Sequence, residues 1–448
     1  MKAACCSSAA RRIPTPRCTN SWWVPARQRS ARQTSVTDTV FPRIDAERLL
    51  ASLQSLGQLG ALPGGGVNRL ALTDADRLGR DWTVQRMREL GMEVRIDAIG
   101  NGIAVYPGQE DRPPVMMGSH IDTVRTGGLY DGNYGVLAGL EVIATLRDAG
   151  LRTRRPLAVA FFTNEEGARF QPNMMGSLVY VGGLPLADAL TTHGIDGPTV
   201  GAELARIGYA GAAPVGAPQV DSYVELHIEQ GLVLEQQGRQ IGIVEGVQGI
   251  SWTEFTLEGT SNHAGTTPMA MRHDAGLVAS RIAVFARELA LRLGGRQLAT
   301  VGLMEMRPGL VNVVPNEVLF TVDLRNTDEA VLQQAEAELL AFAAQAAEAE
   351  GVRCRTRPLA RFAPVAFDPR VVEEVAAQAG VLGLSTLRMP SGAGHDAQIL
   401  ARVCPAGMIF VPSAGGLSHN VREYTAPQAL AQGAQVLLQV VMQLADRP

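Results

Sequence analysis

From about residue 44 onward, short apolar runs alternate with stretches of helical period. Residues 44–59 and 73–90 repeat apolar positions at helix spacing. The second of these follows Thr73, Asp74 and Asp76, which suit a helix N-terminus. Residues 93–99 and 102–106 alternate as strands. Two runs, 115–118 (VMMG) and 157–162 (LAVAFF), are short and continuously apolar, as strands covered on both faces are. A helix-period segment, 132–147, separates them, so the unit predicts strand–helix–strand with parallel pairing. Residues 177–207 read as helical in pieces and 220–227 as another strand. The order then becomes strand 250–257, helix 275–293, strands 299–307 and 317–324, helix 329–350 and strand 353–359. That βαββαβ succession is a compact two-layer module. A helix at 370–379, a strand at 408–411 and a last helix at 427–444 resume the earlier pattern. The expected architecture is α/β: a mixed sheet flanked by helices, carried by residues 41–248 and 364–448, with an inserted α+β domain at 249–363.

Length and composition narrow the function classes. A chain of 448 residues exceeds one compact core, so two domains are expected. A formal charge of −4 over that length argues against a nucleic-acid partner. No apolar run reaches the roughly eighteen residues that a membrane helix needs. Cys5, Cys6, Cys18, Cys354 and Cys404 are odd in number and scattered, without a C-x-x-C pair. Neither a disulfide framework nor a thiolate metal site is expected, and a reducing, cytoplasmic compartment fits. The first forty residues differ, with Lys2, Arg11, Arg12, Arg17, Arg27, Arg29 and Arg32 against Asp38 alone. They read as a basic, disordered tail; a transit peptide and an over-extended start are the other readings.

Chemistry collects where the apolar runs end. The first run leads into Ser119-His120-Ile121-Asp122 and a Gly-rich loop carrying Asp131, and the second into Asn164-Glu165-Glu166-Gly167. Residues 220–227 end at His227 with Gln230 beyond, and His419 follows the strand at 408–411. Ligands in open α/β sheets gather beyond the carboxyl ends of the strands. One such His is ordinarily a hydrogen-bonded structural residue, and a Glu-Glu pair alone is a solvated acidic pair. Three histidines on one rim, with Asp131 and two glutamates, have the composition of a hard or borderline metal site. Asp122 is spaced to accept the other ring N–H of His120 and fix its tautomer. Asp131 can bridge two ions ~3.5–4 Å apart, which would polarise a carbonyl and acidify a water. Of Glu165 and Glu166, one can ligate while the other stays free as a general base.

The motifs GSHIDTV, GGLYDG, TNEEGARF, LHIEQG, GTSNHAGTTPM, PNEVLFTVDLRN and LSHN together resemble the hydantoinase/carbamoylase family. Those are dinuclear-metal amidohydrolases on the zinc-exopeptidase fold with an inserted dimerisation and lid domain. The resemblance implies one ion on His120, Asp131 and His227, and a second on Asp131, Glu166 and His419, with Glu165 as base. Zinc, manganese, cobalt and nickel all suit such ligands. It also implies that His263 stabilises the oxyanion, in relatives often in a neighbouring subunit's site, and that Asn312 and Arg325 hold the substrate carboxylate. For Arg325 a guanidinium fork fits that task. The plainer readings are a loop histidine capping backbone groups for His263 and a strand-end ion pair for Arg325. Gln230 and His395 are expected on the cleft wall. Relatives with peptidase activity usually have an acidic ligand at the position of His227, so the LHIEQG form implies a ureido-acid substrate. The implied activity is hydrolysis of N-carbamoyl-L-amino acids by a homodimer joined through the inserted domain, with no nucleic-acid or membrane partner. Allantoate hydrolysis is the neighbouring reading, and dipeptidase or N-acyl amino acid deacylase activity a more distant one. A catalytically silent binding protein would lack a ligand or the base, and all six positions are present.

Overall fold

Thirteen strands build two sheets in the computed structural model, which describes residues 42–447. The basic tail expected at 1–40, with Cys5, Cys6 and Cys18, lies outside the described residues. The larger sheet contains β1 (Glu93–Ile96), β2 (Gly102–Tyr106), β3 (Val115–His120), β4 (Leu157–Phe162), β5 (Ser222–Ile228) and β6 (Ile241–Val247). The smaller is made of β7 (Gly249–Glu258), β8 (Leu298–Arg307), β9 (Glu317–Asn326) and β10 (Arg353–Phe362). The chain then returns to the larger sheet with β11 (Val365–Ala366), β12 (Thr386–Ser391) and β13 (Ala406–Val411).

The larger sheet runs β1-β2-β4-β3-β5-β13-β6-β11, with β12 on β6. Its centre is parallel: β3 pairs β4 and β5, and β5 pairs β13. Every residue of β3, β4, β5 and β13 is buried, which explains their unbroken apolar runs. The helix Asn133–Asp148 is buried all round from Asn133 to Leu146, because it lies between this sheet and the last helix, Pro427–Ala445. Met116, Met117, Met174 and Met175 are core residues.

Strands β6 and β12 have no clear sequence signal. Gly242 and Gly246 dilute β6, and β12 carries Pro390. Gly242 is needed there, because a Cβ would come within 2.9 Å of both Met389 Sδ and Phe410 Cβ. Pro390 is tolerated because β12 pairs on one side only, with a register shift at Met389/Pro390.

The smaller sheet, ordered β10-β7-β9-β8, is antiparallel throughout and backed by the helices Ala275–Leu293 and Glu329–Glu350. Burial in β9 alternates residue by residue, the period-two signature of a sheet with one covered face. This layer has its own apolar core, in which Phe255 and Phe320 stack at 4.8 Å.

A buried arginine ties the sheet to the loops that leave it. Arg69, 0% exposed, donates from Nε to Ile121 O (2.7 Å), from Nη1 to Leu56 O (2.9 Å) and Leu59 O (2.7 Å), and from Nη2 to Asn133 Oδ1 (2.7 Å). Its backbone N–H donates to Thr123 Oγ1 (2.8 Å), and Thr123 N–H donates to Arg69 O (2.9 Å). Burial lowers the guanidinium to about 10, against the charges of Asp76 and Asp122. The two segments it joins follow His120 and Asp131. Arg69→Met should leave several buried carbonyls unpaired and cost about 3 kcal/mol or more, at ~1–3 kcal/mol per orphaned group. A urea unfolding series would show a lowered midpoint, with Arg69→Lys recovering only part because an ammonium cannot span all four acceptors.

Candidate metal centre

His120 is the last residue of β3 and His227 the sixth of β5, so both imidazoles leave from inside strand ends rather than from the loops beyond them. Parallel pairing of β3 with β5 brings those ends side by side. Glu165 and Glu166 follow β4, and His419 follows β13 by eight positions. The sheet order therefore gathers four separate stretches of sequence at one rim, around a cavity of about 350 Å³.

Asp131 lies at its centre. Its Oδ1 is 3.2 Å from His227 Nε2 and 3.9 Å from His120 Nε2, and its Oδ2 is 3.3 Å from His419 Nε2. His419 Nε2 is also 3.2 Å from Glu166 Oε2. Two triads share Asp131: His120, Asp131 and His227, and Asp131, Glu166 and His419, each with ligand atoms within 4.8 Å of one another. Glu165 belongs to neither, and its Oε2 approaches His120 Nε2 at 3.4 Å. The other ring nitrogens of the two strand histidines are engaged: His120 Nδ1 faces Asp122 O at 2.9 Å and His227 Nδ1 faces Ile228 O at 2.8 Å. Both Nε2 atoms are thereby turned to the cavity.

Asp122 acts differently from the sequence expectation. Its backbone carbonyl, not its carboxylate, meets the His120 ring, the carboxylate standing 3.9 Å away. The carboxylate instead accepts the backbone N–H groups of Glu165 (3.2 Å) and Glu166 (3.3 Å). Those two N–H groups occupy the carboxylate, which leaves the carbonyl to hold the ring.

A further set of polar residues holds Asp131. Gln230 Nε2 donates to Asp131 Oδ2 (3.0 Å), as does Ser418 Oγ (3.2 Å), and Glu423 Oε1 accepts the N–H groups of Tyr130 (3.1 Å) and Asp131 (3.3 Å). His395 lines the cavity edge-on to His227 at 4.5 Å, its Nε2 2.9 Å from Ser391 Oγ. Glu225 is grouped with His227 and His395, but its oxygens already accept from Ser119 Oγ (2.6 Å) and Ala397 N (2.7 Å). Ser418, Glu423 and Glu225 were not singled out from sequence. Only Glu225 carries a local signal, two positions before His227 and so on the same strand face. Gln230 and His419 have left-handed backbones at φ 59° and φ 53°, as does Asn164 before the glutamates at φ 56°. Such conformations are costly for non-glycine residues and concentrate at functional sites.

The electrostatics are those of acids and histidines crowded together out of water. Among the described residues, no Lys or Arg lines the cavity. Burial, then the charges of Asp396 and Glu166, raises Glu165 well above the usual carboxylate range, and burial with the Asp76 charge raises Asp122 to about 8. Burial works against charge on His227, but its hydrogen bond to Asp131 wins and raises it to about 9. Hydrogen bonds to Asp131 and Glu166 raise His419 to about 11. Imidazole and carboxylate donors converging on paired positions, with excess negative charge and no thiolate, fit divalent cations. Divalent cations there would draw Glu165 back toward ionisation.

The remaining expected residues lie elsewhere. Arg325 lines an adjoining cavity, bonded through Nη2 to Asp323 Oδ2 (2.9 Å) and through Nη1 to Gly392 O (2.8 Å). His263 and Asn312 are exposed and line neither cavity. Their loops join, with Ala264 N–H donating to Asn312 O (2.9 Å), and His263 Nδ1 accepts Gly265 N–H (3.0 Å). Within one chain, then, Arg325 makes an ion pair and His263 caps a loop.

The chain matches Peptidase family M20/M25/M40 over residues 116–443. It is 42% identical to an N-carbamoyl-L-amino-acid amidohydrolase of Rhizobium meliloti, over 90% of this chain and 97% of the relative. It is 36% identical to an allantoate amidohydrolase of Bacillus subtilis, over 88% and 96% of the two chains. The crystal structure of a hydantoinase/carbamoylase family amidase from Burkholderia multivorans superposes with a TM-score of 0.89 at 44% identity, covering 91% of this chain and 99% of that one.

Gly132 gives a direct probe of the centre. It stands at φ 66° between Asp131 and the helix, and a Cβ there would lie 2.3 Å from His120 Nε2. Gly132→Ala should push the imidazole out of line and lower bound metal by more than half, as elemental analysis after reconstitution would read.

Proposed function

The chain belongs to peptidase family M20/M25/M40, and we propose that within it this protein is a metal-dependent amidohydrolase that cleaves the ureido C–N bond of N-carbamoyl-L-amino acids or related ureido acids. The observation that carries this reading is the pair of triads sharing Asp131, with Glu165 beside them and outside both.

One divalent ion would be held by His120, Asp131 and His227, and a second by Asp131, Glu166 and His419. Zinc, manganese, cobalt and nickel are all accepted by such donors. When bound, the ions supply Lewis-acid polarisation of the substrate carbonyl and acidify a water. Glu165 takes a proton from the attacking water and returns it to the leaving amine nitrogen. One water and one ureido acid give the amino acid, carbon dioxide and ammonia. Asp122 keeps Glu165 aimed by holding its backbone, and Gln230 holds Asp131. Arg325 grips the substrate carboxylate, exchanging the neutral Gly392 carbonyl for a charged partner.

His263 and Asn312 act in a homodimer, reaching the site of the partner chain to stabilise the oxyanion and the carboxylate. Their mutual contact and their place outside the lining of both cavities of their own chain support this, as do exposed apolar neighbours: Met269, Met271, Leu310 and a fully exposed Val311. The free thiols of Cys354 and Cys404 support a reducing, cytoplasmic setting.

Glu165→Gln keeps size and hydrogen bonding but cannot take a proton. Metal content should be unchanged while kcat on an N-carbamoyl amino acid falls by about two to four orders of magnitude. Loss of metal in that variant would exchange the roles of the two glutamates. Mixing inactive His263→Ala with inactive Glu165→Gln protein should restore part of the activity, because a mixed dimer has one site with both groups intact. Mixed dimers verified by mass and showing no recovery would place His263 at its own chain's site or at none.

A further inference from the structure

The parallel strands have a second rim, opposite the metal centre, and it also encloses a cavity, of about 150 Å³. Arg155 stands just before β4, Asp221 and Ser222 at the start of β5, and Pro405 just before β13. Two helices close the cavity: Arg370 lies in the first turn of Pro369–Val381, and Arg447 follows Pro427–Ala445. Strand β5 is 7 residues long, so the two rims are roughly 20 Å apart. Three arginines thus line this cavity with a single acid, Asp221. We propose that it is a binding site for a small oxyanion of the phosphate type, separate from the metal centre and independent of the ureido-acid chemistry.

Arg155 carries the argument. It is only 9% exposed, yet its Nε has no hydrogen-bond partner among the described residues. Its guanidinium touches Asp221 loosely, with Nη2 3.3 Å from Oδ1. The fold treats its other buried arginines differently. Arg69 reaches four acceptors, and Arg80 bonds to Asp76, Gly100 and Thr163. A buried N–H without an acceptor is unfavourable, and an anion in the cavity would supply one. The two outer arginines are each paired on one side, Arg370 Nε with Asp368 Oδ1 (3.2 Å) and Arg447 Nη2 with Glu374 Oε2 (2.6 Å). Neither of those acids belongs to the lining, and one carboxylate cannot use the five donors of a guanidinium. Backbone bonds fix the walls: Arg155 N–H donates to Ala445 O (3.0 Å), Tyr223 N–H to Pro405 O (2.9 Å) and Asp368 N–H to Ala406 O (3.0 Å). Little ordering is then left for a ligand to impose. Size selects the ligand, since pockets for drug-sized molecules begin at about 300 Å³ and this one is half that. Guanidinium groups from three separate segments suit a tetrahedral oxyanion, whose oxygens they can share.

The test is equilibrium dialysis of the full-length, metal-reconstituted protein against radiolabelled inorganic phosphate, at an ionic strength held constant with sodium chloride. Arg370→Ala/Arg447→Ala removes two exposed side chains, so the fold should be retained. Phosphate also binds metal ions, and the difference between wild type and this double variant isolates the far rim. We expect the wild type to hold about one more phosphate per chain, with a Kd of about 1 mM or tighter. The double variant should bind at that rim about tenfold more weakly or worse, with metal content and kcat/KM unchanged. Arg155→Lys keeps the charge but loses the planar fork, and should weaken the same binding about tenfold. The proposal is overturned if wild type and double variant bind equal amounts of phosphate. It is overturned equally if Arg155→Lys, folded and with its metal intact, binds as the wild type does.

Discussion

One carboxylate, Asp131, is buried with one oxygen toward His120 and His227 and the other toward His419, and much of the molecule serves to keep it there. A buried anion among other acids is unfavourable unless hydrogen bonds and cations surround it. Gln230 and Ser418 hold the side chain, while Glu423 holds its backbone. Burial and the Asp131 charge raise Glu423 itself to about 7, so even this support is shaped by the central anion.

The scaffold makes such crowding tolerable by placing it at the mouth of a rigid parallel sheet. Strands β3, β4, β5 and β13 are buried along their whole length, so the side chains at their ends vary little in position. Arg69 extends that rigidity outward, since one guanidinium fixes both the loop after His120 and the helix start after Asp131. The left-handed residues Asn164, Gln230 and His419 are where the chain bends away from this frame to aim groups into the cavity.

The smaller sheet supplies none of the residues of the two triads. Its β8–β9 pair presents Arg325 and Leu298 together, and the cavity they line is walled by residues of both sheets. Its far loops carry His263 and Asn312 on an exposed surface with apolar neighbours. One small layer thus faces its own chain's cavity at one end and solvent at the other.

The sequence alone determined the regular elements whose patterns are unambiguous: the buried runs that became β3 and β4, the amphipathic helices Ala275–Leu293 and Glu329–Glu350, and the alternation of β9. Their periodicity is local and depends only on which faces are covered. It also marked His120, Asp131, Glu165, Glu166, His227 and His419, because each stands just after or within the end of an apolar run or in a Gly-rich loop. Only the tertiary structure decided what these residues touch. Strands β6 and β12 take their form from partners, since Gly242 is required by Met389 and Phe410, far away in sequence. Asp122 turned its carboxylate to the glutamate backbones because the loop geometry, not the H-x-D spacing, sets its direction. Ser418 and Glu423 support Asp131 from almost three hundred residues away, a contact between chain segments that no local pattern of residues records.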